Sequence, residues 1–492
     1  MNNQVTRVAT LALVLLVTLI VGTTYWQVWA ASSLAEKQDN AIQRVAQFTV
    51  KRGKILGGRG HTVYATNVRK KVKGETFYFR KYPNRGLLAQ TVGYSTQQRS
   101  RTGLEQSLND YLTGTNTNLN TVIRTSLDRL KGVTVTGNNV FLTVDPHAQR
   151  VAQHALGTQC GAVVALDPST GKVLTLASSP TFDLNLAEGQ FDAIKRIKAH
   201  CNPASPLVNR GTGALFPPGS TFKVVTAAAA LDTGKYTPDS TFYDPGYCIE
   251  YGKRVRNAGD PESPEQFGRL TLFQGLEHSV NSVFCKIGIR LGATTILDYS
   301  KRFGFYSLSP LETPDNERTT SGLYNKGRLF FPSNNTQVDP GRLAFGQERM
   351  IVTPLQMAMV AAGVANKGVV MRPYVVDRIE QPNGSLVTRT SPKILSRAIK
   401  PQTAAELTLM MKAVVTGGTG ISAQIPGISV AGKTGTAETG NSGINTTWFI
   451  AFAPADHPRV AIAVVLQNQT GFGGSTAAPI AKTVMEALLG VT

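Results

Sequence analysis

The chain has 492 residues, 41% of them apolar and 17% charged. That is enough apolar content for a large buried core in two to four domains of ~150 residues, and it excludes a disordered chain or a disulfide-built mini-protein. The net charge is +20, so a polyanionic neighbour is expected: nucleic acid, acidic lipid or an anionic polymer. Cysteines stand at 160, 201, 248 and 285, with no Cys-x-x-Cys and no paired His nearby, so a structural zinc site is not expected.

Val8 to Thr24 carries no charge and is long enough to cross ~30 Å of hydrocarbon as a helix. Tyr25, Trp26 and Trp29 follow as an interfacial belt. The reading is an uncleaved single-pass anchor over 8–29, with residues 1–7 cytoplasmic and the body outside the cell membrane. A cleaved signal peptide ending at Val28-Trp29-Ala30 is the rival reading, but its apolar run exceeds the usual ~7–15 residues. Residues 30–45 read as a helical stalk or linker. Between Arg44 and Arg101 fourteen Lys or Arg face one acid, Glu75. So close to an anchor, that charge suits anionic lipid or wall polymer better than DNA. No finger, basic zipper or aromatic RNA-binding motif is present, so no nucleic-acid partner is expected.

Residues 46–150 alternate apolar and polar residues among many glycines, which predicts a β-rich, irregular module. GAVVALDPSTGKVLTLAS from Gly161 reads as a hairpin about an Asp-Pro-Ser-Thr-Gly turn. Helical patterns follow at 221–233, 282–303, 354–366 and 402–415. Strands are expected at 448–454 and 460–467, with a last helix at 476–489. This is an α+β pattern, an antiparallel sheet between helical layers. The expected divisions are a 30–150 pedestal and a larger 151–492 domain.

Three short motifs lie in the second part. In Pro218-Gly219-Ser220-Thr221-Phe222-Lys223, Ser220 opens a helical run and Lys223 lies three residues on, so its amine is expected to reach the hydroxyl. Serine needs a base, and a desolvated lysine can supply one. Ser-x-x-Lys alone is weak, because Ser169 and Lys172 form a second match in the hairpin turn. Ser279-Val280-Asn281 is weaker, since 107–109 and 333–335 also fit Ser-x-Asn. Lys433-Thr434-Gly435 occurs once, where an apolar strand gives way to small residues that allow a ligand close to the backbone.

The three motifs in this order are the set of serine β-lactamases and penicillin-binding proteins. The separations, 59 and 154 residues, resemble those of the latter. Residues 161–185, Asn209-Arg210, 345–368, 432–438 and 448–454 are similar to transpeptidase-domain sequence. Residues 52–55, 91–94 and 103–114 are similar to the non-catalytic module of class B penicillin-binding proteins. The chain therefore resembles class B, most closely its small actinobacterial branch.

That resemblance implies a monofunctional D,D-transpeptidase acting on peptidoglycan stem peptides that end in D-Ala-D-Ala, and acylated by β-lactams. Ser220 would be the nucleophile, Lys223 its base and Ser279 a proton relay, while Asn281 would hold the substrate amide and Lys223. Lys433 would attract the substrate carboxylate, with Thr434, Gly435 and Thr436 binding it. The N–H groups of Ser220 and Thr436 would form the oxyanion hole. No cofactor or metal is implied. A separate membrane glycosyltransferase and division or elongation proteins are the expected partners, with roles in division and cell shape. A β-lactamase is disfavoured, because a fused upstream module and an anchor fit it badly. A D,D-carboxypeptidase, with water as the acceptor, and a non-enzymatic β-lactam sensor are weaker competing functions. Sequence proximity favours Cys160–Cys201 and Cys248–Cys285 disulfides, with buried free thiols as the competing reading.

Overall fold

A computed structural model describes residues 2–25, 48–58, 62–97, 99–115, 136–250, 252–258, 264–333, 337–439 and 443–491. Its longer helices include α1 (Asn2–Thr24), α2 (Pro146–Leu156), α3 (Lys223–Asp232), α4 (Asn281–Leu291), α5 (Ala293–Arg302), α6 (Pro354–Ala365), α7 (Pro401–Thr416) and α8 (Gly473–Leu489). The strands are β1 (Ile55–Gly57), β2 (Thr62–Val72), β3 (Glu75–Lys81), β4 (Asn139–Leu142), β5 (Gly161–Leu166) and β6 (Val173–Ser179), then β7 (Val376–Glu380), β8 (Leu386–Arg389), β9 (Ala431–Glu438), β10 (Asn445–Ala453) and β11 (Val460–Gln469).

The catalytic half is built on one antiparallel sheet in the order β9-β10-β11-β5-β6. Both faces are covered, so β11 is apolar at every position from Val460 to Leu466 and still alternates. Val460, Ile462 and Val464 pack with α2 and α8. Ala461, Ala463 and Val465 pack on the opposite side, with α3 and α6. Side chains of successive strand residues point to opposite faces, which is why one run feeds two cores. α6 is buried nearly all round, as expected of a helix apolar on every side. Its start is fixed by Thr353, whose hydroxyl accepts from Gln356 N, and by a proline in the first turn.

The hairpin expected from Gly161 is β5–β6. Two expectations are corrected. The helix read at 282–303 is two, α4 and α5, because Gly292 between them takes φ +80°, a conformation that ends a helix. The Lys433 motif lies within a full strand, β9, not past the end of one. β9 is the outer strand, where small residues tolerate close neighbours.

A second sheet, β8-β7-β4-β1-β2-β3, forms the pedestal. β1 and β4 pair in parallel, Ile55 beside Val140. β7 and β8 come from residues 376–389, so this sheet crosses the expected boundary at 150. Behind it Glu105, fully buried, bonds Arg52 at 2.9 Å and Arg80 at 2.6 Å.

α1 is exposed from Asn3 to Thr24 at every position but Gly22 and starts six residues before the expected anchor. Among the described residues it is the one helix long and apolar enough to cross a membrane. Trp26, Trp29 and the expected stalk lie outside the described residues. Both expected disulfides are present, with Cα–Cα distances of 5.5 Å for Cys160–Cys201 and 6.3 Å for Cys248–Cys285. The second ties the strand Tyr247–Glu250 to α4.

Candidate active site

Ser220 lies in a 3₁₀ turn, Gly219–Phe222, that leads directly into α3. The turn is pressed against β9. Gly219 has φ +52°, and a Cβ there would lie 2.7 Å from Thr436 O, so only glycine fits without strain. From the other side, a Cβ on Gly435 would lie 2.8 Å from Thr221 Cγ2. Trp448 on β10 donates from Nε1 to Pro217 O at 2.9 Å, fixing the approach to the turn.

Lys223 opens α3 and is fully buried. Its Nζ donates to Ser279 O at 2.6 Å and Asn281 Oδ1 at 2.7 Å and lies 3.2 Å from Ser279 Oγ. The expected direct bond to Ser220 is not among them, because the three oxygens of the second motif occupy the amine. All three are neutral, so no opposite charge offsets the cost of burying a cation. Burial, with the charge of Lys433 adding to it, pushes the Lys223 amine well below the ordinary lysine range. A neutral amine with a free electron pair is the form that accepts a proton.

The second motif sits between two helices. Ser279 has φ +61°, a left-handed conformation uncommon outside glycine. It lets the carbonyl and hydroxyl of one residue face the same amine. Asn281 begins α4 and donates from Nδ2 to Arg256 O at 2.8 Å, which leaves Oδ1 for Lys223. Asp244 braces the same end: it accepts from Ser282 Oγ at 2.5 Å and Asn257 Nδ2 at 2.8 Å.

On β9, Lys433 is fully buried and donates to Thr434 O at 3.1 Å. Burial pulls its amine down to about 7. Thr434 shares a 2.6 Å hydroxyl bond with Thr419, and Thr436 Oγ1 accepts from Gly473 N at 3.3 Å. β9 is an outer strand, so alternate backbone groups have no strand partner on the side facing the Ser220 turn. Thus Ser220, Lys223, Ser279, Asn281, Lys433, Thr434, Gly435 and Thr436 belong to one cluster of contacts about α3, α4 and β9.

Sequence reasoning missed Thr419, Trp448, Gly473 and Asp244. The Gly473-Gly474 pair was a usable signal, since two adjacent glycines often mark close backbone approach. The competing Ser169 lies in the β5–β6 turn, where Oγ bonds Asp167 at 2.7 Å, and Lys172 pairs with Asp377 at 3.3 Å.

The penicillin binding protein transpeptidase domain family matches residues 161–486, and the penicillin binding protein A dimerisation domain family matches 52–140. The chain is 34% identical to peptidoglycan D,D-transpeptidase PbpA of Mycolicibacterium smegmatis, over 99% of each chain. It is likewise 34% identical to PbpA of Mycobacterium tuberculosis over 99% of each. Among solved structures, penicillin-binding protein A from M. tuberculosis as its ceftriaxone acyl-enzyme superposes with a TM-score of 0.81 at 33% identity, over 90% of this chain and 100% of that one. With the three motifs gathered around one buried lysine, these likenesses show that the chain belongs to the class B penicillin-binding protein transpeptidases.

Proposed function

We propose that the chain is a membrane-held peptidoglycan D,D-transpeptidase in which Ser220 is the acylated nucleophile. The observation that carries this reading is Lys223: a fully buried amine, held by neutral oxygens of Ser279 and Asn281 and one helical turn from Ser220.

Ser220 attacks the carbonyl between two terminal D-alanines, and Lys223 takes its proton. Ser279 Oγ, already bonded to Lys223, passes a proton to the leaving amine, and D-alanine departs. The oxyanion is met by the N–H groups of Ser220 and Thr436, at ~3 kcal/mol per donor. The substrate carboxylate lies against Lys433, Thr434 and Thr436. An amine with a value near 7 is only partly charged when the site is empty, and an arriving carboxylate favours the protonated form. An acceptor amine from a second stem peptide then resolves the acyl-enzyme. Penicillins enter by the same first step.

In this reading α1 anchors the chain, residues 30–150 supply most of the non-catalytic pedestal, completed by β7 and β8, and a separate membrane glycosyltransferase docks there. Fluorescent penicillin tests the nucleophile: Ser220→Ala is expected to abolish labelling and Ser169→Ala to retain it. The reverse pattern overturns the assignment. Release of D-alanine from a pentapeptide donor should rise with an added amine acceptor. Return of the penicilloyl-enzyme to its free mass within seconds would instead favour a β-lactamase.

A further inference from the structure

The β2–β3 hairpin projects beyond the pedestal core. The half of β2 from Val68 to Val72 is exposed throughout, as are the turn and Glu75. This tip holds Arg69, Lys70, Lys71 and Lys73 against a single acid, Glu75. β3 is the last strand of its sheet.

The register sorts the tip into two faces. Val68 stands opposite Phe79, Lys70 opposite Phe77 and Val72 opposite Glu75. Arg69 opposite Tyr78 and Lys71 opposite Thr76 take the other face. Val68 and Val72 are 37% and 48% exposed, and Lys70 Nζ sits 5.2 Å over the Phe79 ring. One face therefore mixes aliphatic and aromatic groups with a cation, and the other is basic. An edge strand with lysines is protected from pairing with other strands, but that does not account for exposed valines beside phenylalanines. Apolar groups within a basic rim suit the boundary between headgroups and acyl chains.

The path of the chain supplies the second argument. Phe48, where the described body begins, lies on this hairpin: its carbonyl accepts from Tyr78 N at 2.7 Å, and its ring is 5.7 Å from that of Phe79. Only residues 25–47 separate Phe48 from the end of α1, a span of at most ~80 Å. The hairpin is thus the first part of the body reached from the anchor.

We propose that the β2–β3 tip docks on the anionic lipid headgroups of the membrane that α1 spans. This rests on the reading of α1 as an anchor. Each cation beside an anionic leaflet strengthens the attraction about fivefold, and the effect fades beyond a Debye length of ~8 Å, so the tip has to touch the surface. Docking at this point would fix the pedestal's tilt, and with it the height of the Ser220 site above the bilayer.

The test is hydrogen exchange of full-length protein in nanodiscs of neutral phosphatidylcholine or with anionic phosphatidylglycerol. Amides of residues 66–78 are expected to exchange at least ~5-fold more slowly in anionic discs. Lys70→Glu, Lys71→Glu and Lys73→Glu together should remove the difference while penicillin labelling stays unchanged. Equal exchange in both discs overturns the proposal. So does protection that survives both 1 M salt and the triple variant. Protection in neutral discs that appears only on adding an anionic wall polymer would reassign the surface to that polymer. A chain that fails to co-elute with discs breaks the anchor reading instead.

Discussion

The pedestal and the catalytic half each bury cations, and they do so in opposite ways. In the pedestal, Arg52 and Arg80 close on Glu105, and Arg52 also reaches Asn109 Oδ1 at 2.8 Å. Burial still pulls Arg52 down to about 10, with Glu105 opposing. Those guanidiniums hold segments together as ions. In the catalytic half, the hydrogen bonds of Lys223 and Lys433 end on neutral oxygens. A charge met by a carboxylate stays a charge; one met by carbonyls and hydroxyls becomes easy to discharge. The first arrangement builds a fold. The second stores the capacity to take a proton or an anion, at some expense in stability.

The largest expected effect separates these roles on the catalytic side. Lys223→Ala should slow penicillin acylation by about 10²–10⁴-fold with little loss of thermal stability, since a buried amine is removed along with its desolvation cost. Stopped-flow labelling beside a melting curve measures both. A melting temperature that collapses with the rate would make Lys223 a structural residue. Glu105→Gln is the converse. It leaves two buried guanidiniums without a counter-charge and should cost about 3–5 kcal/mol of stability, read by urea unfolding, while the folded fraction acylates at the normal rate.

Gly219→Ala comes next. It adds a methyl 2.7 Å from Thr436 O at a positive φ, a strain of roughly 1–3 kcal/mol. Acylation should fall about tenfold as the Ser220 turn is levered from β9, and an unchanged rate would remove the close packing from the mechanism. The last effect is a slope. Lys433 titrates near 7 when folded and at 10.5 as an ordinary lysine. Between those values the unfolded chain holds a proton that the folded chain lacks, so stability rises with pH in that window. Lys223 is displaced in the same direction. Urea midpoints should therefore increase from pH 7 to 9, and Lys433→Met should flatten the rise. A wild-type midpoint that falls over that range contradicts a depressed lysine.

Much of this arrangement was legible in the sequence because it is local. The Ser220 and Lys223 spacing, the Asp-Pro-Ser-Thr-Gly hairpin and the apolar run of β11 are each confined to a few residues. The disulfide partners, 41 and 37 residues apart, were readable only as neighbouring cysteines in the chain. What stayed hidden depends on distant segments meeting. Nothing near Thr419 announces Thr434, and Asp244 finds Ser282 only after α4 has packed. The Lys223 amine was expected on Ser220 because helical spacing was the only geometry available to the sequence. Its actual partners arrive 56 and 58 residues later. The break at Gly292 was legible in principle, since a glycine inside a helical pattern is a warning, but the apolar rhythm on either side concealed it.

The pedestal sheet sets an order on synthesis. β1, β2 and β3 can pair soon after they appear, and β4 joins β1 some 60 residues beyond the hairpin turn. The far edge of β4 then waits for β7, which begins at Val376. At ~5–20 residues per second that gap lasts roughly 12–45 seconds, during which a row of unpaired backbone groups is open to wrong neighbours. The two halves of the gene product therefore do not mature one after the other. The first-made part is finished only when most of the second exists, and cutting the chain near residue 150 would leave each fragment with a raw strand edge.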